Sequence, residues 1–189
     1  MGVTSLSARA GAAFGCPCRR LARALGVLAL LWCAASTRAE EFPEYRLKAA
    51  FLFNFMVYTD WPTEVGSTLH LCIYGADPFG SDVDGLQGKT VGNRSVAVLR
   101  RAAGESLDVC QVVFISAAAI DALPRVLASV RARPVLTVAD SAGAARQGVV
   151  LNMNVQQARV SFEANLSAAR SSQLNLSSKL LRLATEVIQ

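Results

Sequence analysis

The 189-residue chain carries 19 Lys and Arg against 14 Asp and Glu, a formal charge of +5. The excess lies ahead of the first acid: Arg9, Arg19, Arg20, Arg23 and Arg38 all precede Glu40, and from there onward acids and bases balance. A basic total suggests a nucleic-acid partner, but the balanced remainder removes that reading.

The leading segment has the three parts of a secretory signal. Its arginines precede an uncharged apolar run, Ala24 to Ala35, and small residues follow at Ser36, Thr37 and Ala39. The run is too short for the ~20 residues of a bilayer crossing, so residues 1–39 are expected to be a cleaved Sec-type signal peptide. Bulky Trp32 before Cys33 argues against a lipid-attachment site. Residues 40–189 then form one domain, expected in the periplasm. Cys16, Cys18 and Cys33 leave with the signal, and the Cys-Pro-Cys pair with them, so no metal site is expected. Cys72 and Cys110 remain. In an oxidising compartment a disulfide is the default for such a pair, with two buried free thiols as the alternative.

Leu47, Ala50, Phe51, Asn54, Phe55 and Tyr58 recur at three- and four-residue spacing. They predict an amphipathic helix over Glu44–Thr59, closed before Trp61-Pro62. Thr68–Gly75 alternates as a strand. Asp77-Pro78 opens a short helix reaching toward Leu86, and Ser95–Arg100 is a second strand. Val109–Ser116 is a continuous apolar run of the kind buried on both faces of a sheet. A helix is predicted over Ala118–Arg131, a strand over Pro134–Ala139, and a loop or short helix from Asp140. A hairpin follows over Gly148–Val155 and Arg159–Ala164. Asn165 is placed as the N-cap of a helix over Leu166–Ser172. A last helix, Ser177–Val187, is predicted to bury Leu180, Leu183, Ala184 and Val187. Strands alternating with helices predict a three-layer α/β domain with a mixed, partly parallel sheet flanked by helices.

Chemistry-bearing patterns are sparse. His70 is the lone histidine and sits on a predicted strand, where a packed or hydrogen-bonded role is expected. Asp82 and Asp84 lack the ligand spacing of a calcium loop and read as a solvated turn. Trp61 reads as a packing anchor, and no nucleophile elbow, phosphate loop or HExxH occurs. No catalytic residue, cofactor or metal is therefore expected.

Several segments, in order, resemble the YfiR family. They begin with Leu47-Lys48-Ala49-Ala50-Phe51-Leu52-Phe53-Asn54-Phe55 and Thr59-Asp60-Trp61-Pro62, and continue with Leu71-Cys72-Ile73-Tyr74-Gly75 and Asp77-Pro78-Phe79. Cys110-Gln111-Val112-Val113-Phe114-Ile115-Ser116 and Thr137-Val138-Ala139-Asp140 follow, and the series ends with Val160-Ser161-Phe162-Glu163-Ala164-Asn165-Leu166 and Leu176-Ser177-Ser178-Lys179-Leu180-Leu181-Arg182-Leu183-Ala184. The resemblance implies a non-enzymatic periplasmic repressor of an inner-membrane, YfiN-like diguanylate cyclase, lowering cyclic di-GMP and biofilm output. It further implies sequestration by a Pal-like (YfiB-like) outer-membrane lipoprotein, and a homodimer. Cys72 and Cys110 match one of two disulfides that family members can carry; no cysteine lies near Gly143–Asn152 to supply the other. The partner surface is sought on the C-terminal hairpin and helices, at Phe162, Glu163, Leu166, Leu174, Leu176 and Leu181; for each leucine a core position is the favoured alternative, and Glu163 is the best exposed candidate. The alternative reading is a periplasmic small-molecule-binding sensory component of another signalling system.

Overall fold

A computed structural model describes residues 44–157 and 159–189; the expected signal peptide lies outside them. Helix α1 (Glu44–Val57) leads into the two-residue strand β1 (Thr59–Asp60), then β2 (Thr68–Tyr74), the single-turn helix α2 (Ser81–Asp84), β3 (Thr90–Val91) and β4 (Arg94–Arg101). Next come β5 (Val112–Ile115), a 3₁₀ turn (Ala117–Ala122), α3 (Leu123–Ser129) and β6 (Leu136–Ala139). A second 3₁₀ turn (Ala145–Gln147) precedes β7 (Leu151–Gln156) and β8 (Arg159–Asn165). The chain closes with α4 (Leu166–Ser171), β9 (Asn175–Leu176), α5 (Ser178–Leu181) and β10 (Glu186–Ile188).

Eight of these strands form one open mixed sheet in the order β10-β8-β7-β6-β5-β2-β4-β3, as the α/β pattern predicts. The run β4-β2-β5-β6-β7 is parallel, β8 returns antiparallel to β7, and β10 is parallel to β8. Strand side chains alternate between two apolar layers. One packs Leu71, Ile73, Phe114, Val138 and Met153 against Leu52, Phe55 and Met56 of α1. The other packs Cys72, Val113 and Ile115 against Leu123 and Val126 of α3. β5 is buried along its whole length but is shorter than the predicted run, beginning at Val112 after polar Gln111 and leaving Val109 46% exposed.

Four expectations need correction. First, α1 buries Lys48, Ala49, Leu52, Phe55 and Met56, while Leu47, Ala50 and Asn54 face outward. The buried stripe is rotated about one residue from the predicted one because a charged residue belongs to it. Second, the short helix spans only Ser81–Asp84. The Asp77 carboxylate accepts from Phe79 N–H at 2.8 Å, committing Asp77-Pro78 to a turn. Third, Ala118–Arg131 divides into a 3₁₀ turn and α3 because Pro124 lies in the first turn of α3. Proline fits a first turn but interrupts a continuous helix. Fourth, the last helix stops at Leu181. Thr185 then bonds the Phe162 carbonyl through its N–H (2.8 Å) and its hydroxyl (2.9 Å), and Glu186–Ile188 adds a strand to the free edge of β8. Leu183, predicted to be core, is 69% exposed. The predicted hairpin and the Asn165 cap are present; Asn165 Oδ1 accepts from Ala168 N–H at 2.8 Å.

Two long-range ties hold the layers. The Cys72–Cys110 disulfide joins β2 to the entry of β5, with Cα atoms 5.9 Å apart and both residues buried. It closes a loop over 38 positions. In the chain-entropy account such a loop contributes about 4 kcal/mol. The second tie is the Lys48 ammonium, which donates to Asp140 Oδ2 at 2.6 Å and reaches Glu44 at 2.5 Å. The Lys48 and Asp140 side chains are 4% and 2% exposed, so α1 is pinned to the loop after β6 by a buried ion pair. Burial pulls the ammonium pKa down, but the hydrogen bonds it donates to Asp140 and Glu44 outweigh it and the net shift is upward.

Replacing both cysteines by alanine is expected to lower the unfolding free energy by about 4 kcal/mol in urea titrations. Asp140→Ala leaves a buried ammonium with only the half-exposed Glu44 and is expected to cost about 3 kcal/mol, whereas Lys48→Met with Asp140→Leu costs less than either single change. A raised Lys48 pKa means that its contribution is complete below the unfolded value and fades as pH rises through the folded one. Tyr45, its pKa raised chiefly by burial and then by the Asp140 charge, acts in the same direction. Stability is therefore expected to fall above about pH 10, and to fall less in the double variant.

Candidate functional site

The C-terminal hairpin divides the expected partner residues by the two-residue period of its strands. Phe162 points into the core, its ring 5.0 Å from Phe55 and 6.1 Å from Phe51. Leu174 is buried with it, and so is Leu176, whose strand β9 pairs with β1 through Thr59. These three side chains are part of the core packing and present no surface. Leu166 and Leu181 are half-buried, each with one side against the core. Glu163 lies on the opposite face of β8 from Phe162 and is half-buried. Asn152 Nδ2 donates to Glu163 Oε2 at 3.2 Å, and cross-strand register places Glu163 between Asn152 and Glu186. Arg146 in turn donates to both Glu186 oxygens at 2.8 Å. The outward face of the hairpin is thus a polar strip, flanked along the chain by half-buried leucines and the exposed Leu183. Sequence reasoning missed Leu183 because it continued the helix through Val187.

A second polar cluster lies at the carboxyl ends of β2, β5 and β6, where the strand order reverses and where open α/β sheets form ligand crevices. Gly75 ends β2 with φ 92°, and a Cβ there would come within 2.5 Å of the Ala119 methyl and 2.8 Å of Ser116 Oγ. Only glycine allows the turn after β5 to approach so closely. Tyr45 stacks edge-on against Phe79 at 5.3 Å, and the Lys48 ammonium stands 4.4 Å from the Tyr45 ring centroid. Ser116 Oγ, Ser141 Oγ and the second Asp140 oxygen are buried without a protein hydrogen-bond partner. The Lys48 ammonium is committed to two carboxylates, so this cluster fixes the position of α1. The sequence signal was present, since Lys48 interrupts an otherwise apolar stripe (Ala49, Leu52, Phe55, Met56). It becomes legible only once Asp140 is known to sit opposite.

His70 has the hydrogen-bonded strand position expected of it, with Nδ1 3.0 Å from Gln111 Oε1. Trp61 Nε1 donates to the Met56 carbonyl at 3.0 Å, anchoring the exit of α1. Among the described residues no group of three or more His, Cys, Asp or Glu could hold a metal ion, and no helix is long and apolar enough to cross a membrane.

Comparison with known proteins supplies what geometry alone does not. Among solved structures, a conserved domain protein from Vibrio cholerae O1 biovar El Tor is similar at a TM-score of 0.50 with 8% identity, over 75% of this chain and 60% of that one. The likeness concerns the fold alone, and this chain spans about three fifths of that protein's solved length. An ABC domain in complex with L-Trp from Streptococcus pneumoniae is looser: its TM-score is 0.47 at 8% identity, over 64% of this chain and 55% of that one. The DUF4154 family model, described as YfiR/HmsC-like, matches residues 45–185, which takes in all but the ends of the described domain. The chain belongs to the YfiR/HmsC-like family.

Proposed function

We propose that the chain is a periplasmic regulator that binds the sensor region of an inner-membrane, YfiN-like diguanylate cyclase and holds it inactive. The observation that carries this reading is the family match over residues 45–185. The signal-like segment before Glu40 supports export, and the balanced charge after it suits a protein that binds another protein. A Pal-like, YfiB-like lipoprotein of the outer membrane competes for the regulator and so releases the cyclase. Each tenfold difference between the two affinities is worth about 1.4 kcal/mol. In this reading the chain works as a homodimer without catalytic chemistry of its own, and lowers cyclic di-GMP and biofilm output.

The contact surface is assigned to Glu163, Leu166 and Leu181. Phe162, Leu174 and Leu176 act from behind it, fixing the backbone that presents these three. Supporting this division, Glu163 lies on the polar strip while Phe162, two neighbours of which are α1 phenylalanines, is locked inside.

Deleting the gene in a strain that retains the cyclase is expected to raise cellular cyclic di-GMP; an unchanged level contradicts the repressor reading. Leu181→Glu and Glu163→Arg are expected to relieve repression while the purified variants melt within a few degrees of wild type. Full repression by both variants would move the contact surface elsewhere.

A further inference from the structure

A cleft of about 590 Å³ opens between α3 and α4, with Thr137 of β6 among its lining residues. That volume lies in the range of small-molecule sites. Leu127, Ala128 and Ala168 give it an apolar wall. Thr137 is buried, and its hydroxyl oxygen already accepts from Val150 N–H at 3.0 Å. A hydroxyl so engaged still has its own proton to donate. Arg131, also in the lining, is exposed and makes no ion pair with any described residue. None of the residues lining the cleft is an aspartate or glutamate. Beside Arg131, Ala132 holds φ 56°, a left-handed conformation that non-glycine residues adopt at a cost.

We propose that this cleft is a binding site for a small organic anion with an apolar body. The body packs on Leu127, Ala128 and Ala168, and the charged group is met by the Arg131 guanidinium and the Thr137 hydroxyl. The chemical class follows from the lining: a cation would face an unopposed guanidinium with no carboxylate to receive it. A neutral apolar molecule would leave that guanidinium unused. The site does not depend on the cyclase reading, since it concerns a ligand of the domain itself.

Titration of the purified protein with the amphipathic sulfonate 8-anilinonaphthalene-1-sulfonate, followed by fluorescence, tests the proposal. One saturable site is expected. Arg131→Ala should weaken it about tenfold, the loss of one charge-assisted hydrogen bond. Ala128→Trp, at an exposed position that tolerates bulk, should fill the cleft and abolish saturable binding. Arg125→Ala, on α3 but outside the lining, should leave the affinity unchanged. No saturable binding by the wild type, equal affinity in wild type, Arg131→Ala and Ala128→Trp, or the same loss in Arg125→Ala as in Arg131→Ala overturns the proposal.

Discussion

A lysine ammonium buried under a sheet is tolerated only if its charge is met within hydrogen-bond distance, and this requirement organises the amino-terminal half of the domain. Lys48 is met by Asp140 at 2.6 Å and by Glu44 at 2.5 Å. Desolvating two such charges costs several kcal/mol each, and a good pair about offsets it. The pair therefore adds little net stability while penalising strongly any placement of α1 that separates it. With Lys48 held at the loop after β6, the rest of the α1 stripe is obliged to lie on one sheet face. There Leu52, Phe55 and Met56 seal the apolar layer that also receives Phe162 of the hairpin.

The disulfide acts on the other layer. Cys72 and Cys110 bind β2 to the entry of β5, adjacent parallel strands whose connection passes through β3 and β4. Parallel neighbours are joined only by long crossovers, so a covalent tie at this place constrains a large loop in the unfolded chain. One tie is electrostatic and the other covalent, and they sit in opposite layers of the same sheet.

How much of this was legible depended on whether the information was local. The buried centre of the β5 run, the hairpin and the Asn165 cap are written in neighbouring residues, and the structure contains them. The cysteine pair needed only the count that remains once residues 1–39 are set aside as the expected signal. What failed needed a distant partner. The burial of Lys48 is set by Asp140, 92 positions away. The carboxyl-terminal strand exists because β8 offers a free edge, whereas the local pattern from Ser177 reads as helix. Within the candidate contact set the choice between core and surface also needed the fold: the sheet places Phe162, Leu174 and Leu176 in the core, the alternative favoured for the leucines from sequence. Glu163 was separable in advance because, in a strand, a charged neighbour of a core phenylalanine must face the other way.

Among the described residues the buried Lys48–Asp140 pair is occupied in holding α1, the Cys72 and Cys110 sulfurs are joined and enclosed, and the chain belongs to the YfiR/HmsC-like family. Binding of the purified protein to the purified periplasmic sensor region of the proposed diguanylate cyclase partner, measured by isothermal titration calorimetry, tests the central claim most directly. The account predicts saturable binding that the Pal-like lipoprotein displaces. An absence of binding by correctly folded partners would contradict it.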